Sequence, residues 1–255
     1  MSDPNQVFQA PPPPPFAPTP PPPAVEMSTP ATLINIFFEP SRVFEALRSR
    51  PRFLIAGIII LLLTIGVTVA LYQRVDMGEF ISQEMERSPR NAEMGPKQKE
   101  MAIKIGKIVG AVIVPVLVVV EVAAGSAVYL LLVMAFGGTI SYKRALAVWV
   151  YSSLPPAVLG TIVALLVLFL KAPDTIDPKH LLITNPGAFM NPESSPALST
   201  LLSQFDILRF YGFFLAAVGL KKVAKISSGS AWTIVIGLWL IWLILAVAKA
   251  AIFGA

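Results

Sequence analysis

Five long apolar runs dominate this sequence, and they decide what it can fold into. They lie at about 53–72, 107–137, 145–170, 205–220 and 231–253. A bilayer core about 30 Å thick is crossed by roughly 20 helical residues, so each run is a candidate span, the fourth being the weakest. In hydrocarbon every backbone N–H and C=O needs an internal partner, which favours helices over any open strand. The expected fold class is all-α membrane: a five-helix transmembrane bundle. The second run is longer than a span requires, which predicts tilt or protrusion. Neither the second nor the third run contains a polar turn at which the chain could reverse, so neither is split in two.

Composition agrees. Of the 255 residues, 55% are hydrophobic and 14% charged, against about 25% charged in a soluble domain. The net charge of +5 sits in the connections between apolar runs. It reads as topology signal and contact with anionic headgroups, with no nucleic-acid partner, because basic and aromatic residues do not interleave. There is no cysteine and one histidine, His180. A disulfide framework, a zinc site and a thiol nucleophile are therefore excluded.

The first 30 residues hold 12 of the 24 prolines, including runs at 11–15 and 20–23. Proline has a locked φ and no N–H, so this stretch favours extended polyproline II and reads as a disordered Pro-rich tail. It does not resemble a signal peptide, whose apolar core would fall within this same length. Its functional reading is a ligand for a polyproline-binding groove; its plainer reading is a solvated low-complexity spacer. Residues 31–52 follow as an amphipathic segment. Pro40 suits a first helical turn, Val43, Phe44 and Leu47 share one face, and Arg42, Arg48, Arg50 and Arg52 line the other. Such a segment either lies flat in the interface or packs against the bundle, and the pattern fits both.

Basic residues near the spans set the expected orientation. Four arginines precede span one, Lys143 and Arg144 join spans two and three, and Lys221, Lys222 and Lys225 join spans four and five. With five spans all three sites fall on one side, which the positive-inside rule makes cytoplasmic. The N-terminus is then inside and the C-terminus outside, in a multi-pass cell-membrane protein. The basic residues of 74–105 oppose this but are spread over a longer stretch. Pro96 is expected to open a helix running into span two. The segment 171–204 reads as an irregular outer loop with a short helix from Pro196 to Leu202.

Within the spans, Glu121 stands out between Val120 and Val122. A carboxylate at that depth costs about 2.5 kcal/mol or more on insertion scales, so it is expected to face the bundle. It serves as a proton or cation site, or as an interhelical hydrogen bond that fixes packing. Ser152 and Ser153 sit at similar depth as candidate partners. Pro155 and Pro156 follow them, removing two helix hydrogen bonds and predicting a kink. Asp206 and Arg209 open span four at i, i+3, with Asp206 suited to the helix N-terminus. The two form either a headgroup or partner site or a capped, paired helix end. Lys249 can snorkel near the end of span five. Gly106 and Gly110 match small-xxx-small packing, which leaves a homo-oligomer open.

Catalytic and cofactor motifs are missing: no HExxH, no GxSxG, no phosphate loop and no GxGxxG. His180 reads as a solvated loop residue. No cofactor and no metal ligands are implied.

The order of features resembles the Yip1 domain family, in its prokaryotic branch, over about residues 31–250. The resemblance rests on Phe38-Glu39-Pro40 with Phe44 following, on Tyr142-Lys143-Arg144-Ala145-Leu146-Ala147 continuing to Tyr151-Ser152-Ser153-Leu154-Pro155, and on Phe205-Asp206-Ile207 running to Gly219-Leu220. It implies five helices and a cytoplasmic N-terminus. Eukaryotic relatives act in vesicle trafficking and contact Rab GTPases and membrane-shaping proteins, but their Asp-Leu-Tyr-Gly-Pro-like stretch is not evident here. The leading expectation is a non-enzymatic membrane adaptor or organiser that recruits membrane or cytoplasmic protein partners. The alternative is a small transporter or channel subunit using Glu121 and the Pro155-Pro156 break. An intramembrane enzyme ranks last, because no nucleophile–base pair or metal set can be assembled.

Overall fold

The structure, a computed structural model, describes residues 26–87, 94–190 and 195–253. The Pro-rich runs fall outside the described residues. The last residues assigned to the tail instead begin the first helix, α1 (Thr29–Asn35), where Ser28 Oγ accepts the Ala31 N–H at 3.3 Å. Then come α2 (Pro40–Ser49), α3 (Leu54–Arg74), α4 (Met77–Arg87), α5 (Pro96–Ala135), α6 (Tyr142–Leu170), α7 (Pro196–Ser203), α8 (Ile207–Ala224) and α9 (Ser228–Phe253). Among the described residues there is no strand.

Proline opens α2, α5 and α7, as well as two 3₁₀ turns at Pro173–Thr175 and Pro186–Phe189. The first helical N–H has no intrahelical partner, so proline loses nothing there and supplies the φ a helix needs. The starts expected at Pro40, Pro96 and Pro196 are all found.

Four described helices, α3, α5, α6 and α9, are long and apolar enough to cross a membrane. A bent pair, α7 and α8, which meet at 46°, passes the same test when taken together and makes a fifth candidate. The expected fourth span falls on α8, with α7 set at an angle before it. At 40 residues α5 is about 60 Å long, twice a bilayer core, and it coincides with the expected span from residue 107 to its end.

The centre of the bundle is α6. It packs on α2, α3, α5 and α8, and it buries Val148, Tyr151, Leu154 and Leu168. Helix α8 approaches α6 closely because its contact positions are glycines. A Cβ at Gly219 would lie 2.8 Å from Val148 Cγ1 and 2.9 Å from Phe44 Cε1. Pro155 and Pro156 lie inside α6, which continues through them as a helix. Pro156 leaves the Ser152 carbonyl without its helical donor, and Gly212 of α8 lies over that spot, a Cβ there falling 3.6 Å from Ser152 O.

Helices α1 and α2 close one end of the bundle. Val43, Phe44 and Leu47 are fully buried against α6 and α8, so packing on the bundle is the placement this amphipathic face takes. Thr32 Oγ1 and Tyr151 Oη share a buried hydrogen bond of 2.9 Å. Arg144 Nε donates to Arg48 O at 2.9 Å, and Lys222 Nζ pairs with Glu45 Oε1 at 2.6 Å. The arginines before α3 and the basic residues of the α5–α6 and α8–α9 turns thus gather at one end, as the span count requires.

Candidate functional site

The largest concentration of polar side chains inside the bundle surrounds the start of α8. Asp206 is its N-cap: Oδ1 accepts Leu208 N–H at 2.8 Å and Arg209 N–H at 3.1 Å. Its other oxygen accepts from Thr184 Oγ1 and, at 3.5 Å, from Asn185 Nδ2. Ile207 N–H donates to Thr184 O at 3.3 Å. Arg209 Nη1 donates to Gln204 Oε1. Asp206 and Gln204 are both buried, and the Arg209 guanidinium lies within electrostatic reach of Asp206 and of Glu121 on α5.

This cluster is deep. Leu208 of α8 and Leu182 of the loop both face Gly160 of α6, which stands ten residues before Leu170. At 1.5 Å per residue that is roughly 15 Å in from the C-terminal end of α6. The segment 181–185 therefore runs along the bundle wall, with Leu182 and Ile183 exposed and Thr184 turned to Asp206. Its irregular backbone is partly satisfied by protein, since Ile207 N–H donates to Thr184 O and Asn185 Nδ2 to Leu182 O.

Two of the five polar residues expected at a site, Asp206 and Arg209, are brought together with a third, Glu121. Asp206 caps the helix as expected, but the Arg209 guanidinium turns to Gln204 rather than closing an ion pair with Asp206 within 4 Å. Ser152 and Ser153 do not join them. Both hydroxyls donate to Trp149 O at 2.9 Å, the usual retreat of a serine inside an apolar helix. Glu121 also departs from expectation. It is exposed, and among the described residues its carboxylate accepts no hydrogen bond. The reason lies in α5, which enters the core only over its last turns, where Ser126, Tyr129 and Val133 are buried, while the stretch from Val112 to Glu121 stays largely exposed.

One guanidinium thus lies within electrostatic reach of two carboxylates between candidate spans. Such an arrangement can hold a proton on the acid that is in excess, or fix one helix against another by charge.

A model of the Yip1 domain matches residues 34–249. The chain belongs to the Yip1 family. The Yip1 match runs from α1 to the end of α9 and so contains the whole polar cluster. Membrane protein YknW of Bacillus subtilis (strain 168) is a similar protein, 29% identical over 204 residues, which are 79% of this chain and 82% of the relative. No solved structure matches the chain.

Thr184, Asn185 and Gln204 escaped the sequence reading because they sit in a stretch that looks like an outer loop. The one legible signal was Asn185-Pro186: an Asx residue before proline is a helix cap, and Asn185 Oδ1 accepts the Ala188 N–H at 3.0 Å. At the C-terminal end of α6, Arg74 donates from Nε to Leu168 O at 2.9 Å. Asp177 pairs with His180 Nδ1 at 2.7 Å. Burial pushes the Asp177 carboxyl up, but the His180 hydrogen bond and the Lys179 N–H bring it below the usual carboxylate range. The N–H groups of Gly78 and Glu79, with Lys107 behind them, hold the Asp76 carboxyl low as well.

Proposed function

We propose that this Yip1-family protein is a non-enzymatic membrane adaptor, with α1 and α2 as a fixed cytoplasmic handle that recruits protein partners to the bilayer. The observation that carries this reading is how firmly the handle is seated while its tip stays free. Phe44 and Leu47 are buried, Lys222–Glu45 and Arg144–Arg48 tie the rim, yet Phe38 is 79% exposed and Ile34 61% exposed at the turn between α1 and α2. A pre-ordered segment presenting apolar side chains spares a partner the entropy of ordering it. The gathering of basic residues at this end supports a cytoplasmic N-terminus and an external C-terminus.

The test is co-purification in mild detergent with mass spectrometry, comparing the full chain, a chain lacking residues 1–25, and Phe38→Asp. Specific partners lost with Phe38→Asp support the handle, and those lost with the truncation assign the proline segment as a second docking element. Identical partner sets in all three chains overturn the reading.

The second reading, a small transporter or channel subunit, is favoured by Glu121 standing beside Arg209 at membrane depth. It requires flux in liposomes that Glu121→Gln abolishes while the melting temperature holds. Undiminished flux in that variant removes Glu121 from any transport path.

A further inference from the structure

The same end of the bundle holds a cleft of about 570 Å³ between α1 and the last turn of α2. Its walls carry Arg50 and Arg52 with the hydroxyl-bearing residues Ser28, Thr29 and Ser49. Arg52 is held in place, donating from Nη1 to Thr29 Oγ1 at 3.2 Å and to Met27 O at 3.4 Å. Arg50 is freer: its side chain is 64% exposed and pairs at 3.0 Å with Glu26, itself 68% exposed. The Glu26 carboxylate occupies the position an anionic oxygen of a ligand would take.

The cleft also has a defined depth. Helix α3 starts two residues after Arg52, and its first turns expose Leu54, Ile55 and Ile58, by 67%, 52% and 54%. These side chains meet acyl chains in a membrane, so Arg50 and Arg52 stand where headgroups begin. A guanidinium presents paired N–H donors that match phosphate oxygens, and two of them beside hydroxyl donors complete a phosphate-binding set.

We infer that this cleft binds the phosphodiester headgroup of an anionic glycerophospholipid, with Arg50 and Arg52 on the phosphate and Leu54 and Ile55 against the acyl chain. Glu26 is displaced as the lipid enters. The site is independent of the adaptor reading, since it needs no protein partner.

Native mass spectrometry of the full chain in mild detergent, with equimolar phosphatidylglycerol and phosphatidylcholine, tests it. Phosphatidylglycerol should be retained about fivefold over phosphatidylcholine, the ratio expected for one arginine's worth of headgroup attraction. Arg50→Gln should erase that preference at an unchanged melting temperature. Glu26→Gln should raise retention, because it removes the competing carboxylate. Equal retention of the two lipids by the unaltered chain overturns the proposal. So does displacement of the lipid by glycerol phosphate at matched concentration, which would mark a site for soluble phosphate. If Arg50→Gln lowers the melting temperature, Glu26→Gln decides: unchanged retention in that variant overturns the assignment.

Discussion

Helices α5 and α6 are almost equally apolar, yet the structure uses them in opposite ways. In the most apolar stretch of α6, 33% of the residues are buried; in that of α5, none are. Helix α6 is the core to which α2, α3 and α8 attach. Helix α5 is an arm over its first half, where it joins α3 and α4, and enters the core over its last turns, where Ser126, Tyr129 and Val133 are buried beside α6. In water such an arm would expose an impossible amount of apolar surface. In a bilayer lipid covers it as well as protein does, so hydropathy reports immersion and says nothing of contact. What separates the two helices is shape. Helix α6 meets glycines on α8 and carries alanine at 145, 147 and 164 on its buried face, whereas the run from Val112 to Val120 of α5 exposes valine, isoleucine and leucine, its small residues lying before and after that run.

The sharpest way to break this comparison is to make the same substitution on both helices. Leu154 of α6 is 2% exposed and Leu117 of α5 is 54% exposed. Leu154→Ala should cost about 2–5 kcal/mol, through lost contacts and a residual cavity. Leu117→Ala should stay within about 0.5 kcal/mol. Thermal unfolding in one detergent measures both. Equal losses would mean that α5 is packed as tightly as α6, most simply against another copy of the chain.

A smaller effect is expected where the arm joins the core. A Cβ on Gly125 would fall 2.3 Å from Trp149 Cη2, so the indole would have to move. Gly125→Leu should destabilise by about 1–3 kcal/mol, as overpacking does. The loss should appear as weaker protection of α5 in hydrogen exchange, with α6 and α8 little changed. Uniform loss across all helices would show that α5 and the core unfold as one unit.

Smaller again is the link between Glu121 and Arg209. A double-mutant cycle with Glu121→Gln and Arg209→Gln should give a coupling of about 1 kcal/mol, typical of polar pairs between membrane helices. The sign should be stabilising. A coupling near zero would mean that the arm does not lean on α8 through charge, leaving the packing of Gly125, Tyr129 and Val133 on the core as its tie.

These regions also differ in how far they could be read from the sequence. Local rules worked where the cause is local. Pro40, Pro96 and Pro196 announced helix starts, Asp206 announced a cap, and Val43, Phe44 and Leu47 announced a buried face. Contacts between distant segments were not legible. Nothing in the letters around Glu121 says that α5 swings away from the centre and leaves the carboxyl exposed, because residues facing lipid and residues facing protein are equally apolar. Nor does the polar, proline-rich stretch before α8 reveal that Leu182 lies over Gly160 and Thr184 meets Asp206. Polar residues at depth look like surface residues until the partner that satisfies them, here Asp206, is known. The membrane fold itself was plain, since span length and charge placement depend on the bilayer and not on tertiary contacts.

The least effect is expected in the connection after α6, where Asp177 and His180 meet. Asp177 ionises more readily in the folded chain than in the unfolded one, because the His180 and Lys179 hydrogen bonds outweigh its burial. Its contribution is therefore complete above the ordinary aspartate range near about pH 4 and is lost as pH falls through the lower folded value. Acidification should loosen hydrogen-exchange protection around 177–180 before it touches α6. Asp177→Asn should make that segment insensitive to acid between about pH 5 and 3, at a small and constant loss of protection. If the acid response persists in Asp177→Asn, it originates elsewhere in the outer segment, and Asp76, held low by the N–H groups of Gly78 and Glu79, is the next carboxylate to substitute.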